Sequence, residues 1–293
     1  MRVSFLGLGA IGAPMARHLT RDPFELTVWN RTHEKAEAFA SEGSARVASS
    51  PAEAVRDADV VVTCLPSSRE VEHLVNAGIA KTLSSGALFI DCTSGDPATS
   101  RSIAARLKDQ GVDFIDAPVS GGVKGAVAGT LTVMCGGDIA TLERARPVLE
   151  AFGKKIVHCG PVGAGDAVKA MNQALLAIHI WSAGEALASL AKLGVDTAVA
   201  LDVINGSSGR SNASENLFTE RVIGRAFPRT FKLALLDKDV GIAADIARAE
   251  GVPSPFVELA DRLFREAHAE LGEEADHVEA VKVIEERSGV RIA

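Results

Sequence analysis

The chain has 293 residues, of which 47% are hydrophobic and 24% are charged, and its formal net charge is −7. This composition is typical of a folded globular protein and excludes an intrinsically disordered chain. The length is sufficient for two domains with sizeable cores. The negative charge argues against nucleic acid or an anionic membrane as the main partner, although local positive groups would still suffice for an anionic small molecule.

No targeting or metal-binding signal stands out in the sequence. The chain enters an apolar strand-like run at residue 3, which predicts no signal peptide and a cytoplasmic protein. The most apolar helix-like stretch, 174–181, is short and interrupted by His179, so no membrane span and no membrane partner are expected. The four cysteines lack Cys-x-x-Cys spacing and the seven histidines are scattered, so we expect free thiols and no metal.

The strongest motif stands at the start of the chain. An apolar run with the length of a buried parallel strand leads into Gly7, Gly9 and Gly12, and a helix-like pattern and a second strand, 26–29, follow. Strand, glycine turn, helix and strand form the context of a dinucleotide-binding fingerprint, with the phosphates at the helix N-terminus. Gly7 permits the tight turn, Gly9 lets the backbone approach a pyrophosphate, and Gly12 lets the helix pack on the strand. The expected cofactor contacts are Gly7, Gly9, Ala10, Ile11 and Gly12.

The end of the second strand indicates which dinucleotide is bound. NAD-binding proteins usually carry Asp or Glu there, whereas this strand ends in Asn30-Arg31-Thr32. Arg31 can pair with a 2′-phosphate, and Asn30 and Thr32 can form hydrogen bonds with it. The sequence thus favours NADP, with NAD still possible. The alternative is that Arg31 is a solvated loop charge and that Thr32 only caps the next helix.

Strand-like and helix-like segments alternate through the first half of the chain. Further strands are predicted at 60–65, 88–92, 114–116, 131–135 and 156–158. Helices are predicted at 70–83, 97–110 and 140–152. This alternation predicts an α/β fold with a Rossmann-like, doubly wound and largely parallel sheet, whose ligands bind at the carboxyl ends of the strands.

The pattern changes after Gly160. Residues 166–192 show helical periodicity without proline, which predicts one long helix. The rest of the chain is interpreted as further helices, and its last six residues, SGVRIA, as a tail. We therefore predict a Rossmann-like dinucleotide-binding domain over 1–162 and an all-α C-terminal domain over 163–293, joined by the long helix.

The start of the long helix carries a candidate catalytic pair. Lys169 and Asn172 are three residues apart and share one face of the helix. A lysine in this position can give or take a proton at a substrate oxygen, with Asn172 fixing the orientation. A solvated surface lysine is the alternative, and from this segment alone it is the better interpretation.

Two other segments can bind ligands. Small residues at Ser120, Gly121 and Gly122 can form a concavity of N–H groups for a carboxylate, although an ordinary turn-rich loop has the same composition. Lys238 lies on a predicted helix and can reach a cofactor or substrate, although a solvated charge pair with Asp239 is the default interpretation.

Taken together and in this order, the four segments resemble the motifs of the β-hydroxyacid dehydrogenase family. They are GLGAIGAPMA at 7–16, DAPVSGG at 116–122, GPVGAGDAVKAMN at 160–172 and KDVG at 238–241, so they span most of the chain. Four ordered motifs are far more specific than one, and they favour a functional Lys169. Two small departures from the family pattern are Ile11, where Met is common, and His18, where Asn is common.

The resemblance implies roles for particular residues. Lys169 would be the catalytic acid and base. The substrate would be held by Ser120, Gly121, Gly122 and Asn172, and the nicotinamide side of the cofactor would be lined by Leu65, Pro66, Thr93 and Lys238. The implied reaction is a reversible NADP-dependent oxidation of a β-hydroxy acid to its semialdehyde, with 3-hydroxyisobutyrate of valine degradation as the expected substrate. The family is usually oligomeric, so a homodimer or homotetramer assembled through the helical domain is expected.

Three alternatives remain open at this point. Glyoxylate, succinic semialdehyde and tartronate semialdehyde reductases resemble the same motifs and differ in their pocket walls, for which Phe231, Leu235 and 204–212 are the candidates here. Imine reductases resemble the fold but generally lack the lysine that stands here as Lys169. A dinucleotide-binding module without turnover belongs to a different class, and it would typically have lost that lysine.

Overall fold

The computed structural model describes residues 1–293. They divide into two compact units, Met1–Lys169 and Ala170–Ala293, hereafter unit 1 and unit 2. The division falls inside the long helix, whereas the predicted domain boundary lies at 162/163, just before that helix.

Unit 1 alternates strands and helices. Its strands are β1 (Arg2–Leu6), β2 (Glu25–Trp29), β3 (Arg46–Val47), β4 (Val60–Thr63), β5 (Leu88–Asp91), β6 (Asp113–Asp116), β7 (Val119–Ser120), β8 (Leu131–Gly136) and β9 (Gly153–Gly160). Its helices are α1 (Gly12–Arg17), α2 (His33–Ser41), α3 (Pro51–Val55), α4 (Ser68–Leu74), α5 (Ala80–Thr82), α6 (Pro97–Lys108), α7 (Gly122–Ala128) and α8 (Ile139–Phe152). A π-helical turn, Val75–Ile79, joins α4 to α5 where the sequence predicted one continuous helix.

The strands of unit 1 form one nine-stranded sheet in the order β3-β2-β1-β4-β5-β6-β8-β7, with β9 paired to β8. β1 to β6 pair with one another in parallel. Their order is that of a Rossmann-type sheet, so the predicted fold is confirmed. The order reverses between β1 and β4, and this switch point is where such sheets bind ligands. β8 runs antiparallel to β6 and β7.

Both faces of the sheet are buried. Along β1, Phe5 belongs to one hydrophobic cluster and Leu6 to another. Along β5, Ile90 and Phe89 divide between the same two clusters. Because successive side chains point to opposite, equally apolar layers, these strands appear in the sequence as continuous apolar runs rather than as alternating patterns.

Unit 2 is helical, as predicted, apart from one isolated bridge between Lys232 and Asp276. Its helices are the greater part of α9 (Ala164–Lys192), α10 (Thr197–Asn205), a π-helical segment (Ala213–Val222), α11 (Leu233–Ala249), α12 (Pro255–Leu271), a 3₁₀ turn (His277–Ala280) and α13 (Val281–Ser288). One hydrophobic cluster, with Phe218 and Phe264 among its fully buried members, holds these helices together.

The sequence analysis expected no segment long enough to span a membrane, and this expectation was wrong by length and composition. Helix α9 has 29 residues and a mean hydropathy of 1.4 over its most apolar window, so it alone is long and apolar enough to cross a membrane by length and composition. His179 does not interrupt it, because one polar side chain costs a helix little. Ile180, Trp181 and Leu187 of α9 lie in the core of unit 2, and 39% of the apolar window is buried.

The last residues are not a tail, in contrast to the sequence interpretation. Ile292 is fully buried in the core of unit 2, and its N–H donates to Glu285 Oε1 at 2.7 Å. Arg225 Nη1 donates to the Ile292 carbonyl at 3.1 Å, and Thr197 Oγ1 donates to the Ala293 carbonyl at 2.7 Å. Arg225 and Thr197 are distant in sequence from the residues they bind, so local composition carried little sign of the docking.

Candidate active site

The glycine turn after β1 is built on two close backbone contacts. Gly7 has φ +106°, and a Cβ there would lie 2.3 Å from the Cys64 carbonyl oxygen. A Cβ on Gly12 would lie 2.1 Å from the Gly7 carbonyl oxygen. A Cβ on Gly9 would meet nothing within 4 Å, so this part of the turn faces open space. Gly7 and Gly12 therefore shape the turn, and Gly9 leaves room for a ligand.

The amides of this turn are available to an anion. The N–H groups of Gly9, Ala10 and Ile11 donate to no group of the protein. No side chain caps α1, which begins at Gly12. Unsatisfied N–H groups at the start of a helix, at the switch point of a Rossmann-type sheet, are suited to a pyrophosphate.

Asn30 holds the glycine turn against the end of β2. Its Oδ1 accepts the Leu8 N–H at 3.0 Å, and its Nδ2 donates to the Thr32 carbonyl at 2.9 Å. Only one hydrogen of the Asn30 amide remains for a ligand. The structure thus gives Asn30 a bracing function that the sequence interpretation did not include.

Arg31 and Thr32 present free polar groups beside that turn. The Arg31 guanidinium is exposed and makes no hydrogen bond or ion pair with the protein. Thr32 is the N-cap residue of α2, but its side chain accepts no hydrogen bond from the helix. The alternative that Thr32 only serves as a helix cap is therefore not supported, and both side chains are available to a phosphate.

The ends of β4 and β5 are tied together by hydrogen bonds. Leu65 N–H donates to Thr93 Oγ1 at 3.1 Å. Thr93 N–H and Thr63 Oγ1 in turn donate to Asp91 Oδ1, at 3.0 and 2.8 Å. Two of the residues predicted to line the nicotinamide, Leu65 and Thr93, are thus brought together, while the neighbouring Pro66 is exposed.

The Asp91 carboxyl group makes the stability of this edge depend on pH. Burial raises its pKa to about 6, above the ordinary 3.8, against the opposing hydrogen bonds from Thr93 and Thr63. The folded chain therefore retains a proton that the unfolded chain loses, and the stabilising contribution present below pH 3.8 is lost as the pH rises through about 6.

Asp91→Asn is expected to remove this dependence. Between about pH 4 and pH 7, the free energy of unfolding of the variant should fall less than that of the wild type. The two falls should differ by up to ~3 kcal/mol, because a pKa difference of one corresponds to about 1.4 kcal/mol. Urea unfolding across this pH range measures the effect. Identical pH slopes for the two proteins would contradict it.

The substrate segment is more ordered than a loop. Ser120 lies in β7 and pairs with Thr132 of β8, and its hydroxyl has no partner in the protein. Gly121 and Gly122 have φ of +136° and +62°, which favour glycine, and α7 begins at Gly122. The predicted concavity is therefore a strand end followed by the open amides of a short helix, a combination suited to a carboxylate.

Lys169 is buried in the second turn of α9, with 8% of its surface exposed. Lysines are almost never this buried without a partner or a function, so the alternative of a solvated surface lysine is excluded. Asn172, one turn further and in unit 2, is exposed.

A polar chain in unit 2 connects two of the predicted residues. Asn172 Nδ2 donates to Gln173 Oε1 at 3.3 Å, and Gln173 Nε2 donates to Asp239 Oδ2 at 3.2 Å. Lys238 Nζ lies 2.9 Å from Asp239 Oδ1. The two residues form the charge pair of the default interpretation, but Asp239 is buried rather than solvated. Gln173 was missed in the sequence, where its position next to Asn172 was the available signal.

Phe231, a predicted pocket wall, is held by Asp276. Asp276 Oδ2 accepts the N–H groups of Thr230 and Phe231 at 2.8 and 3.0 Å. The half-buried Phe231 ring packs edge-on against His277, with 5.3 Å between ring centroids. Although burial opposes ionisation, hydrogen bonds from His277 and these amides hold the pKa of Asp276 well below its usual range.

Two further acidic residues were missed by the sequence analysis as functional candidates. Asp116, the last residue of β6, accepts the N–H groups of Gly163 and Asp166 at 2.7 and 3.0 Å. Asp166 accepts Gly95 N–H at 3.1 Å and Ser100 Oγ–H at 2.6 Å. An acid at the end of an apolar strand run was the signal that could have pointed to Asp116.

The geometry of unit 1 defines a class of protein. A Rossmann-type sheet, an open glycine turn at its switch point and a buried lysine near the start of α9, the helix that follows the last strand, are the parts of a nicotinamide-dependent dehydrogenase. Residues 2–160 match the family model for the NAD binding domain of 6-phosphogluconate dehydrogenase. Residues 163–284 match the model for NAD-binding of NADP-dependent 3-hydroxyisobutyrate dehydrogenase. The chain belongs to the β-hydroxyacid dehydrogenase family and is an NAD(P)-dependent enzyme, as the motifs predicted.

Three similar proteins are named for three different hydroxy acids. A 2-(hydroxymethyl)glutarate dehydrogenase of Eubacterium barkeri is 34% identical, over 100% of this chain and 98% of that protein. An NAD-dependent L-serine dehydrogenase of Pseudomonas aeruginosa is 36% identical, over 90% and 91%. The solved structure of Mycobacterium tuberculosis 3-hydroxyisobutyrate dehydrogenase with L-serine has a TM-score of 0.89 and 34% identity, over 97% and 98%.

Proposed function

We propose that this enzyme oxidises a short β-hydroxy acid reversibly to its semialdehyde with NADP, and that 3-hydroxyisobutyrate is its substrate. The observation that carries the proposal is the burial of Lys169 at the start of α9. The residues present fit a dinucleotide, because the glycine turn has open amides and Arg31 has no partner in the protein.

Each residue has a defined part in the proposed reaction. When bound, the dinucleotide supplies the acceptor for the hydride that leaves the substrate carbon. Lys169 Nζ, as the neutral amine, takes the hydroxyl proton and becomes the ammonium, and in the reverse direction the ammonium returns that proton to the carbonyl oxygen. Ser120 and the amides that follow it hold the carboxylate, and Asn172 orients the hydroxyl.

Arg31→Ala is expected to change the cofactor preference. A hydrogen bond to a charged group contributes about 1.5–3 kcal/mol, so the KM for NADP should rise about 10- to 100-fold while the KM for NAD changes little. Arg106→Ala, which removes an exposed arginine from the last turn of α6, is the matched control. Initial rates with both cofactors measure the effect. A wild-type preference for NAD would contradict the assignment of Arg31.

L-Serine is the second candidate substrate, because it is a β-hydroxy acid and appears with two of the relatives. A panel of 3-hydroxyisobutyrate, L-serine, 2-(hydroxymethyl)glutarate, 3-hydroxypropionate, glycerate and 4-hydroxybutyrate, with glyoxylate in the reverse direction, separates the candidates. We expect the highest kcat/KM for 3-hydroxyisobutyrate. A higher kcat/KM for any other acid would reject 3-hydroxyisobutyrate as the substrate. A lack of activity on every compound of the panel would reject the proposed reaction.

A homodimer or homotetramer formed through unit 2 completes the proposal. Leu193, Val199 and Val203 expose 60–79% of their surfaces, and the two valines share a face of α10. Phe256 at the start of α12 is 73% exposed. Apolar surface of this kind is typical of protein–protein contacts. Light scattering should give two or four times the single-chain mass of 30.5 kDa.

A further inference from the structure

We propose that Asp116 and Asp166 are positioning residues that fix the first turn of α9 to the ends of β5 and β6 and so hold Lys169 in register with the substrate and cofactor segments. This inference rests on the proposed role of Lys169. Both carboxyl groups and all of their partners lie in unit 1.

Asp116 serves as a cap for α9 from a distant strand. The first N–H groups of a helix have no partner inside it. Gly163 immediately precedes α9 and Asp166 is its third residue, and the two oxygens of Asp116 accept one N–H from each. A local N-cap side chain normally accepts the hydrogen bond from that third residue. Here the acceptor is the residue that opens the DAPVSGG segment, so the catalytic helix is fixed to the substrate segment.

The surroundings of Asp116 are shaped to receive its carboxylate. A Cβ on Gly136 would lie 2.5 Å from both carboxylate oxygens. A Cβ on Gly165 would lie 2.8 Å from Asp116 Oδ2 and 2.2 Å from the Met134 carbonyl. Glycine is therefore required on both sides of the group. This packing is an observation independent of the hydrogen bonds, and it indicates a built site rather than a chance contact.

Asp166 extends the connection to the cofactor segment. Its Oδ1 accepts the N–H of Gly95, two residues after Thr93, and its Oδ2 accepts the hydroxyl of Ser100 in α6. A Cβ on Gly95 would lie 3.2 Å from both oxygens of Asp166, so this contact is also close. The two acids thus join three segments: residues 93–95 after β5, residues 116–122 at the end of β6, and the start of α9.

The cost of these buried acids suggests a function other than stability. Burial raises the pKa of Asp116, and it raises that of Asp166 strongly, with the charge of Asp116 adding to the effect. Burying an ionisable group carries a desolvation cost, and groups with strongly perturbed pKa values cluster at functional sites. Lys169 follows Asp166 by three residues, about 4.5 Å along a rigid helix, so a shift of the helix start would be passed to Nζ. A misplacement of ~1 Å in an active site can cost about 100-fold in rate.

Asp116→Asn and Asp166→Asn test the inference. Asparagine keeps the volume and removes the charge. At position 116 it places an NH2 group against an N–H donor, whereas at position 166 the NH2 group can face the Ser100 hydroxyl, which can also accept a hydrogen bond. We expect kcat to fall at least ~10-fold in Asp116→Asn and by a smaller factor in Asp166→Asn, with the KM values and the NADPH dissociation constant within about threefold of the wild type. Asp261→Asn, which removes a buried acid paired with Arg265 on α12, is the matched control and should keep kcat. An unchanged kcat in both test variants would overturn the inference.

A double-mutant cycle shows whether the acids act through Lys169. If they do, adding Asp116→Asn to Lys169→Ala should lower the residual turnover less than about twofold. If Asp116→Asn lowered the turnover of Lys169→Ala as much as it lowers that of the wild type, Asp116 would act by another route. This result would overturn the inference but not the proposed function. Near-normal turnover of Lys169→Ala by itself would reject the proposed function together with the inference.

A milder variant covers the case in which the asparagine variants do not fold. Ser100→Ala removes only one hydrogen bond to Asp166 and leaves both carboxyl groups in place. We expect kcat to fall about three- to tenfold, with unchanged NADPH affinity and a melting temperature lowered by only a few degrees, because one buried hydrogen bond contributes about 1 kcal/mol. An unchanged kcat in Ser100→Ala would count against the inference.

Discussion

Lys169→Ala is expected to lower kcat by about 10²- to 10⁴-fold, the range attributed to general acid–base catalysis. Nothing else in the proposed mechanism accepts the hydroxyl proton, so the loss should appear in kcat. The glycine turn that binds the dinucleotide lies at the end of β1 and keeps its hydrogen bonds, so the NADPH dissociation constant should stay within about twofold. Single-turnover rates and fluorescence titration of NADPH measure the two quantities.

Two further variants separate proton transfer from charge. Lys169→Arg keeps a positive charge but cannot give up its proton near neutral pH, so it should be about as inactive as Lys169→Ala. Lys192→Ala removes the exposed lysine at the other end of α9 and is the matched control. Substantial activity in Lys169→Arg would mean that the residue acts as a fixed charge, and substantial activity in Lys169→Ala would remove it from the reaction.

Gly12→Ala is expected to abolish measurable dinucleotide binding and to lower the free energy of unfolding by about 3 kcal/mol. Its Cβ would lie 2.1 Å from the Gly7 carbonyl oxygen, and neither backbone segment can move without breaking the turn. Isothermal titration with NADPH and thermal unfolding measure the two effects. A normal melting temperature with normal affinity would show that the turn tolerates the methyl group and would contradict the prediction.

Gly9→Ala should behave differently at the same turn. Its Cβ would meet no protein atom within 4 Å, so the melting temperature should not change. A methyl group there would instead stand where the backbone has to approach a pyrophosphate, so NADPH affinity should fall about tenfold or more. Gly224→Ala, at an exposed glycine with ordinary surroundings, is the control for both variants. Normal NADPH affinity in Gly9→Ala would place the phosphates elsewhere.

The buried strands were predictable because their signal is local. A strand that is buried on both faces leaves an unbroken apolar run in the sequence, as β5 and β8 do. Every run that was predicted to be a strand is a strand in the structure. β3 and β7 were missed because two residues carry too little pattern. The short helix α7 was missed because its glycines, Gly122 and Gly125, are usual signals for a loop.

The site was only partly predictable, because much of its order comes from long-range hydrogen bonds. The spacing of the glycines identified the dinucleotide turn, since one short segment builds most of it. The bond from Gly163 N–H to Asp116 joins residues 47 apart, and the bond from Leu8 N–H to Asn30 joins residues 22 apart. No local pattern distinguishes an acid or amide with such a partner from one in solvent. The docking of Ile292 escaped the sequence for the same reason.

The two hydrogen bonds of Asn30 limit how cofactor preference can evolve or be engineered in this scaffold. Introducing aspartate at position 30 is the obvious route to NAD, since a carboxylate there can accept from the ribose hydroxyls. It would also replace the donor that now meets the Thr32 carbonyl with a second acceptor, and so weaken the brace on the glycine turn. A redesign for NAD therefore has a safer starting point at Arg31, whose side chain supports no other part of the protein.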